Sequence, residues 1–208
     1  MSEALRHLRR VDPVMAQLIR RAAPCGIAPV RGRGAYEALV LAVAHQQLTA
    51  AAANTILGRL YALHGLRGCP PAGRLVDTPE EQLRGVGFSR AKAASLRDIA
   101  AKALDGTIPP RRALARMSNE TIIERLTEAR GVGRWTAEMF LMFTLGRPDV
   151  LPVDDYGIRN GFRIAYGKRS LPKPKALAKF GERWAPYRTT ASWYLWRAVD
   201  LAREKPQR

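Results

Sequence analysis

With 208 residues, 47% of them hydrophobic, the chain is long enough for one large or two small intimately packed domains around a real core, which excludes global disorder. Lys and Arg number 35 against 18 Asp and Glu, a formal net charge of +17, so a polyanion is the first partner to consider and nucleic acid the commonest of them. Cys25 and Cys69 are too few for a four-thiolate zinc or iron–sulfur site, and the longest apolar blocks, 38–44 and 139–143, are too short to span a bilayer.

The first ten residues, MSEALRHLRR, carry charge where a secretory leader needs an apolar run. The chain is therefore expected in the cytoplasm, nucleoid-associated in a bacterium, away from membranes, with its thiols reduced rather than paired. Abundant Ala and Arg can also reflect genome composition rather than selection for a binding face. Motifs must decide.

In chain order the pattern is helical nearly throughout. Residues 13–22 read as amphipathic, and 35–63 read as two Ala- and Leu-rich helices meeting at Gln46–Thr49. Thr78 is expected to cap a helix with Pro79 at its first position and Glu81 at its third. Ser89 caps the next, which stops at Gly106. Ser118 or Asn119 starts a helix that runs through 122–130. After Gly131-Val132-Gly133, helix resumes over 134–145 and ends at Gly146. A helix then begins at Asp154 or Asp155, and two more follow at about 174–184 and 188–204. No segment alternates cleanly, and the connections at 31–34, 65–73, 107–112 and 167–174 carry the Gly and Pro of turns. The fold class is all-α: two packed helical subdomains in a single compact unit. One lobe is expected from 1–34 with 155–208, the other from 35–154 with a hairpin at 122–145.

Glycine in a helix interior costs about 1 kcal/mol relative to Ala, so Gly131 and Gly133 mark a turn. Val132 would pin that turn to the core. The helix that follows would present unpaired N–H groups and a positive dipole end, an anion site flanked by the charges of Arg130 and Arg134. The alternative is an ordinary αα-hairpin. The same grammar occurs in LRGVGFSRAKA (83–93), where Arg84, Arg90 and Lys92 are either phosphate contacts or solvated charges.

The segment LTEARGVGRWTAEMFLMFTLGRPDVLPVDDYGIR (126–159) resembles the helix–hairpin–helix and following loop of the helix–hairpin–helix DNA glycosylase superfamily. The likeness is strongest to its DNA-3-methyladenine glycosylase II branch. AVAHQQLT (42–49) resembles that branch's Gln-containing helix junction, and GERWAPYRTTASWYLW (181–196) its C-terminal helices. Many branch members carry a β-rich N-terminal domain. Too few residues precede Ala35 for one, so the resemblance implies a compact form without it.

The resemblance implies roles residue by residue. Asp155 would be the catalytic carboxylate, stabilising positive charge on the deoxyribose and orienting water, with Asp154 left as the helix cap. Bifunctional relatives carry Lys where this chain has Trp135. Trp cannot form a Schiff base, so a monofunctional enzyme without lyase activity follows. Trp135, Trp196 and Tyr156 would line the base pocket, where an aromatic face attracts a cationic alkylated purine. Arg130, Gly131, Val132, Gly133 and Arg134 would grip phosphate. Gln46 and Gln47 lie where the family fills the hole left by a flipped base, with Gln47 as the plug, and His45 reads as a helix-face residue. A structural Na+ or K+ at the carbonyls of Arg130 and Val132 is the one cofactor implied; no iron–sulfur cluster and no side-chain metal site is expected. The partner would be double-stranded DNA with alkylated bases, met by a monomer. The competing readings are a non-catalytic DNA-binding module and a glycosylase for uracil, mismatched or oxidised bases.

Overall fold

The computed structural model describes residues 2–30 and 32–204; Met1, Arg31 (the start of one expected connection) and 205–208 lie outside the described residues. Every regular element among the described residues is helical, so the all-α expectation holds. The chain divides into two compact units, Val30–Phe140 and Met1–Pro29 with Leu141–Arg208. The boundaries were expected at 34/35 and 154/155. The second falls earlier because residues 147–150 are hydrogen-bonded to the start of the C-terminal helix, as described below.

The first unit to consider, Val30–Phe140, holds α3 (Ala35–His45), α4 (Ala50–Leu63), α5 (Ala72–Val76), α6 (Glu80–Gly85), α7 (Arg90–Leu104), α8 (Arg111–Leu114), α9 (Asn119–Thr127) and α10 (Arg134–Phe140). Thr49, Ser89 and Ser118 cap α4, α7 and α9 by accepting the Ala52, Lys92 and Thr121 amides. Thr78 does not cap. Its hydroxyl turns back to donate to the Arg74 carbonyl at 2.7 Å, and Pro79 takes the cap position instead. Leu39, Val43, Leu60, Leu75, Leu96, Ile99 and Ile122 are almost fully buried, each worth about 1.5–3 kcal/mol of apolar transfer. They place α7 at the centre of this unit, packed on α3, α5 and α6.

The other unit holds α1 (Glu3–Val11), α2 (Pro13–Arg21), a π-helical turn (Leu141–Leu145), α11 (Tyr156–Ala165), α12 (Pro174–Gly181), a 3-10 turn (Glu182–Trp184) and α13 (Arg188–Arg203). α1 was not foreseen, because its charges masked a stripe whose centre, Leu8, is wholly buried. The helix expected over 134–145 is α-helical only to Phe140, then widens into the π turn, which ends where Gly146 adopts φ 71°. Asp12 ends α1 and caps α2 through the Val14 and Met15 amides. Its other oxygen accepts the Tyr166 hydroxyl and, at 2.9 Å, the Trp184 indole N–H, so this buried carboxylate ties four donors together. Trp184, Tyr194, Leu8, Met15 and Leu195 fill the core around it.

α11 and α13 cross closely at Gly161, where a Cβ would collide with the Leu195 carbonyl. That crossing sets the start of α11 beside the middle of α13. It is the scaffold for the candidate carboxylate.

Candidate active site

The Gly-Val-Gly segment is a turn, as its composition requires. Gly131 has φ 77°, a conformation only glycine takes without strain, and Val132 is 5% exposed. Glycine is needed for room as well: a Cβ at position 131 would lie 2.6 Å from Ser95 Oγ on α7. The turn is tied down by groups that motif reading did not single out. The Arg130 amide donates to Asp98 Oδ2 at 2.7 Å, and the Gln46 Nε2 amide donates to the Gly131 carbonyl at 2.9 Å. Asp98 and Ser95 were visible in the sequence as polar residues in an Ala- and Leu-rich helix, but no local pattern pairs them with a turn 32 residues away.

Arg130 is exposed. Arg134 is differently placed. It makes a forked pair with Glu120, at 2.8 and 2.9 Å, and a third bond of 3.2 Å to the buried Glu138. The hydrogen bonds from Arg134 hold the Glu120 carboxyl below the usual carboxylate range. The Arg134 charge is thus committed to two carboxylates. Lys92 and Arg90 of the first glycine hairpin are likewise engaged: Lys92 with two carbonyls, Arg90 with Glu80 at 3.2 Å.

Gln46 and Gln47 form the α3–α4 junction, as expected. Gln47 has φ 57°, the one positive value for a non-glycine residue among the described residues, and it is exposed. The left-handed conformation costs a residue with a Cβ about 1–2 kcal/mol. His45 donates its Nδ1 proton to the Leu41 carbonyl one turn back, at 2.9 Å, which fits a helix-face residue. A hollow of about 470 Å³ opens here, lined by Ala42, His45, Gln46, Gln47, Trp135, Thr136 and Met139. Trp135 is 50% exposed rather than sealed in a core.

In the other unit, Asp155 sits at the N-cap of α11, half-buried, and its Oδ1 accepts the Ile158 amide at 2.7 Å. Asp155 therefore takes the capping position that had been assigned to Asp154, which stands exposed one residue earlier. The same oxygen accepts the Trp196 Nε1–H at 2.9 Å. Trp196 is held in turn by Phe143 of the π turn, ring centroids 6.0 Å apart and nearly parallel. Gly157 gives the indole its space: a Cβ there would come within 2.9 Å of Trp196 Cδ1 and 3.1 Å of Asp155 Oδ1. Tyr156 is 68% exposed beside the carboxylate. A carboxylate at a helix N-terminus, held by two N–H donors, is oriented to stabilise a developing cation without reorganising.

The loop that leads to Asp155 is fixed by the first turn of α13. The Arg188 guanidinium forks onto Asp149 at 2.6 and 2.8 Å, and the Thr189 hydroxyl accepts the Val150 amide at 3.0 Å while donating to the Arg147 carbonyl at 2.7 Å. Burial alone would raise the Asp149 carboxyl; the Arg188 side chain and amide outweigh it and hold it below its usual range. Both cysteines are free thiols, and burial pushes Cys25 upward and Cys69 to about 11, so neither is a thiolate at neutral pH. Among the described residues no cluster of His, Cys, Asp and Glu could hold a metal ion, and no helix is long and apolar enough to cross a membrane. A smaller hollow of about 240 Å³, walled by Val14, Leu18, Ile164 and Leu201, contains none of the candidate residues.

The sequence pattern of HhH-GPD superfamily base excision DNA repair proteins matches residues 40–186. DNA-3-methyladenine glycosylase 1 of Schizosaccharomyces pombe is 44% identical over 167 residues, 80% of this chain and 73% of that one. The structure of the S. pombe 3-methyladenine DNA glycosylase in complex with abasic DNA has a TM-score of 0.83 at 39% identity, covering 98% of this chain and all of that one. A DNA-3-methyladenine glycosidase from Bacillus halodurans has a TM-score of 0.88 at 34% identity, over 98% of this chain and 92% of its own. The chain belongs to the HhH-GPD superfamily of base excision DNA repair proteins.

Proposed function

We propose that the protein is a monofunctional DNA glycosylase that flips alkylated purines such as 3-methyladenine out of duplex DNA and hydrolyses their N-glycosidic bond. The observation that carries this is the Asp155 carboxylate, capped onto α11 and bonded by Trp196, in a chain of this family. The substrate class follows from the relatives, which are named for 3-methyladenine.

In the reaction the C1′–N bond breaks and its electron pair leaves with the base. Positive charge grows on the sugar, and Asp155 stabilises it at short range. Water adds to C1′, and its proton passes to the carboxylate. A purine alkylated on a ring nitrogen is cationic before it leaves, so the half-exposed Trp135 face attracts it by about 0.5–2 kcal/mol. In this reading Trp196 and Tyr156 also serve as base-facing aromatics, and Gln47 fills the vacated stack. With Trp135 where lyase relatives carry Lys, no amine attacks the sugar and the strand stays uncut. Arg130 and the Gly131–Arg134 backbone hold phosphate. A Na+ or K+ at the Arg130 and Val132 carbonyls belongs to the same reading, since backbone oxygens suit a hard cation.

The test is base release from DNA treated with a methylating agent, followed by chromatography. The wild type is expected to release 3-methyladenine and leave an alkali-labile abasic site. Asp155→Asn is expected to keep duplex affinity and lose release. Release of no base from methylated, uracil-containing or oxidised DNA would leave a binding module. Borohydride should trap no covalent adduct on abasic DNA; an adduct would overturn the monofunctional assignment.

A further inference from the structure

Gln47 keeps a left-handed backbone on an exposed loop, and such a conformation persists only where its surroundings over-determine it. Two side chains do so. Lys92 Nζ donates to the Ala44 carbonyl at 2.9 Å and to the Gln46 carbonyl at 2.6 Å, on either side of His45. These oxygens belong to the open C-terminal end of α3, where a cation also meets the negative end of the helix dipole. Gln46 then reaches across to the Gly131 carbonyl at 2.9 Å.

Lys92 does not act alone on α7. Lys92, Ser95 and Asp98 recur every three residues and so share one face of that helix. Ser95 lies under Gly131, and Asp98 accepts the Arg130 amide at 2.7 Å. One helix face therefore touches both the junction that carries Gln47 and the glycine turn.

We propose that Lys92 is a positioning residue for base excision: with Ser95 and Asp98 it makes α7 a template that sets the 45–49 loop and the 130–133 turn in register, so that Gln47 is already in its inserting conformation before DNA arrives. The proposal rests on the glycosylase reading, in which Gln47 is the plug. Its physical content is preorganisation: a loop ordered in advance does not lose conformational freedom on binding. The ammonium is satisfied by carbonyls, and its burial pulls its pKa below the ordinary lysine value, which marks it as a built-in contact rather than a solvated charge.

The experiment uses the full chain, with Lys92→Met, Gln47→Ala and the double variant. Lys92→Met keeps the aliphatic stem and removes the donors. Hydrogen exchange on the free protein should quicken about tenfold across 46–48 and stay as in the wild type across α9. Single-turnover release from a duplex carrying 7-methylguanine should fall about tenfold with little change in Kd. The double variant should be no slower than Gln47→Ala, because the two residues act as one device. Unchanged exchange at 46–48 overturns the proposal. So does a double-variant loss equal to the product of the single losses, which is what a merely structural lysine gives, or a loss confined to Kd, which is what a phosphate contact gives. A wild type that releases no base overturns the glycosylase reading and the positioning role with it, an outcome distinguishable because exchange is read without DNA.

Discussion

The indole N–H of Trp196 and the amide of Ile158 converge on one oxygen, Asp155 Oδ1, at 2.9 and 2.7 Å. The carboxylate is thereby oriented from two elements at once, by the backbone of α11 and by a side chain of α13. Trp196 was read from sequence as an aromatic wall. Its hydrogen bond adds a second task, fixing the group proposed to face the sugar.

Trp196→Phe separates the two tasks. Phenylalanine retains a ring to stack on Phe143 but has no N–H for Asp155. A hydrogen bond to a charged group is worth about 1.5–3 kcal/mol, so the single-turnover rate should drop roughly 10- to 100-fold. Duplex affinity should change little. A normal rate with weakened binding of the damaged base would show that the wall, and not the hydrogen bond, is what matters.

Gly157→Ala probes the same pair from the backbone side. Alanine in place of glycine favours a helix by up to about 1 kcal/mol, which offsets part of the cost of displacing the Asp155 cap and the Trp196 ring. The new methyl would press on Trp196 Cδ1 and Asp155 Oδ1, at 2.9 and 3.1 Å, and turn both away. Release should fall far more than the small drop in melting temperature would account for. Gly161→Ala should behave oppositely, destabilising the unit by several kcal/mol because its methyl meets the Leu195 carbonyl, which cannot rotate aside.

Much of this was legible beforehand, and the reasons are local. The Gly-Val-Gly turn, the Ser89 and Ser118 caps and the break at Gln46–Thr49 are each encoded within a few residues. Thr78 was misread because its hydroxyl has a second acceptor one turn back, which a capping motif does not reveal. Asp154 was misread as the cap because adjacent aspartates look alike until the backbone is placed; the oxygen that meets the Ile158 amide belongs to Asp155. The partners of Lys92, Asp98 and Asp149, and the Glu120 partner of Arg134, lie between 14 and 48 residues away, and no periodicity announces them. Composition reported an excess of cations. It could not report that Arg134, Lys92 and Arg90 already have partners inside the chain.

Arg134 offers a measurable case. Glu120→Gln removes the forked carboxylate that occupies its guanidinium and leaves Glu138 in place. If the freed charge then meets a phosphate, log K against log salt should steepen by about 0.9, the contribution of one added phosphate contact on B-DNA. Affinity at low salt should rise. An unchanged slope would mean that Arg134 remains a structural brace when DNA is bound.

The Asp149–Arg188 pair gives the pH dependence. The folded Asp149 carboxyl is held below its unfolded value of about 3.9, so its stabilising effect is present above that pH and is lost as pH falls through the folded value. Both side chains are partly open to water, which limits the pair to about 1 kcal/mol. Asp149→Asn should therefore melt a few degrees below the wild type at neutral pH, and the gap should close as the pH falls below the ordinary carboxylate range, where the wild-type carboxylate is itself becoming protonated. Because this pair anchors the loop preceding Asp155, excision by the variant should fall along with stability at neutral pH. A melting difference that persists unchanged into acid would assign the loss to packing of the loop and remove the ion pair from the account.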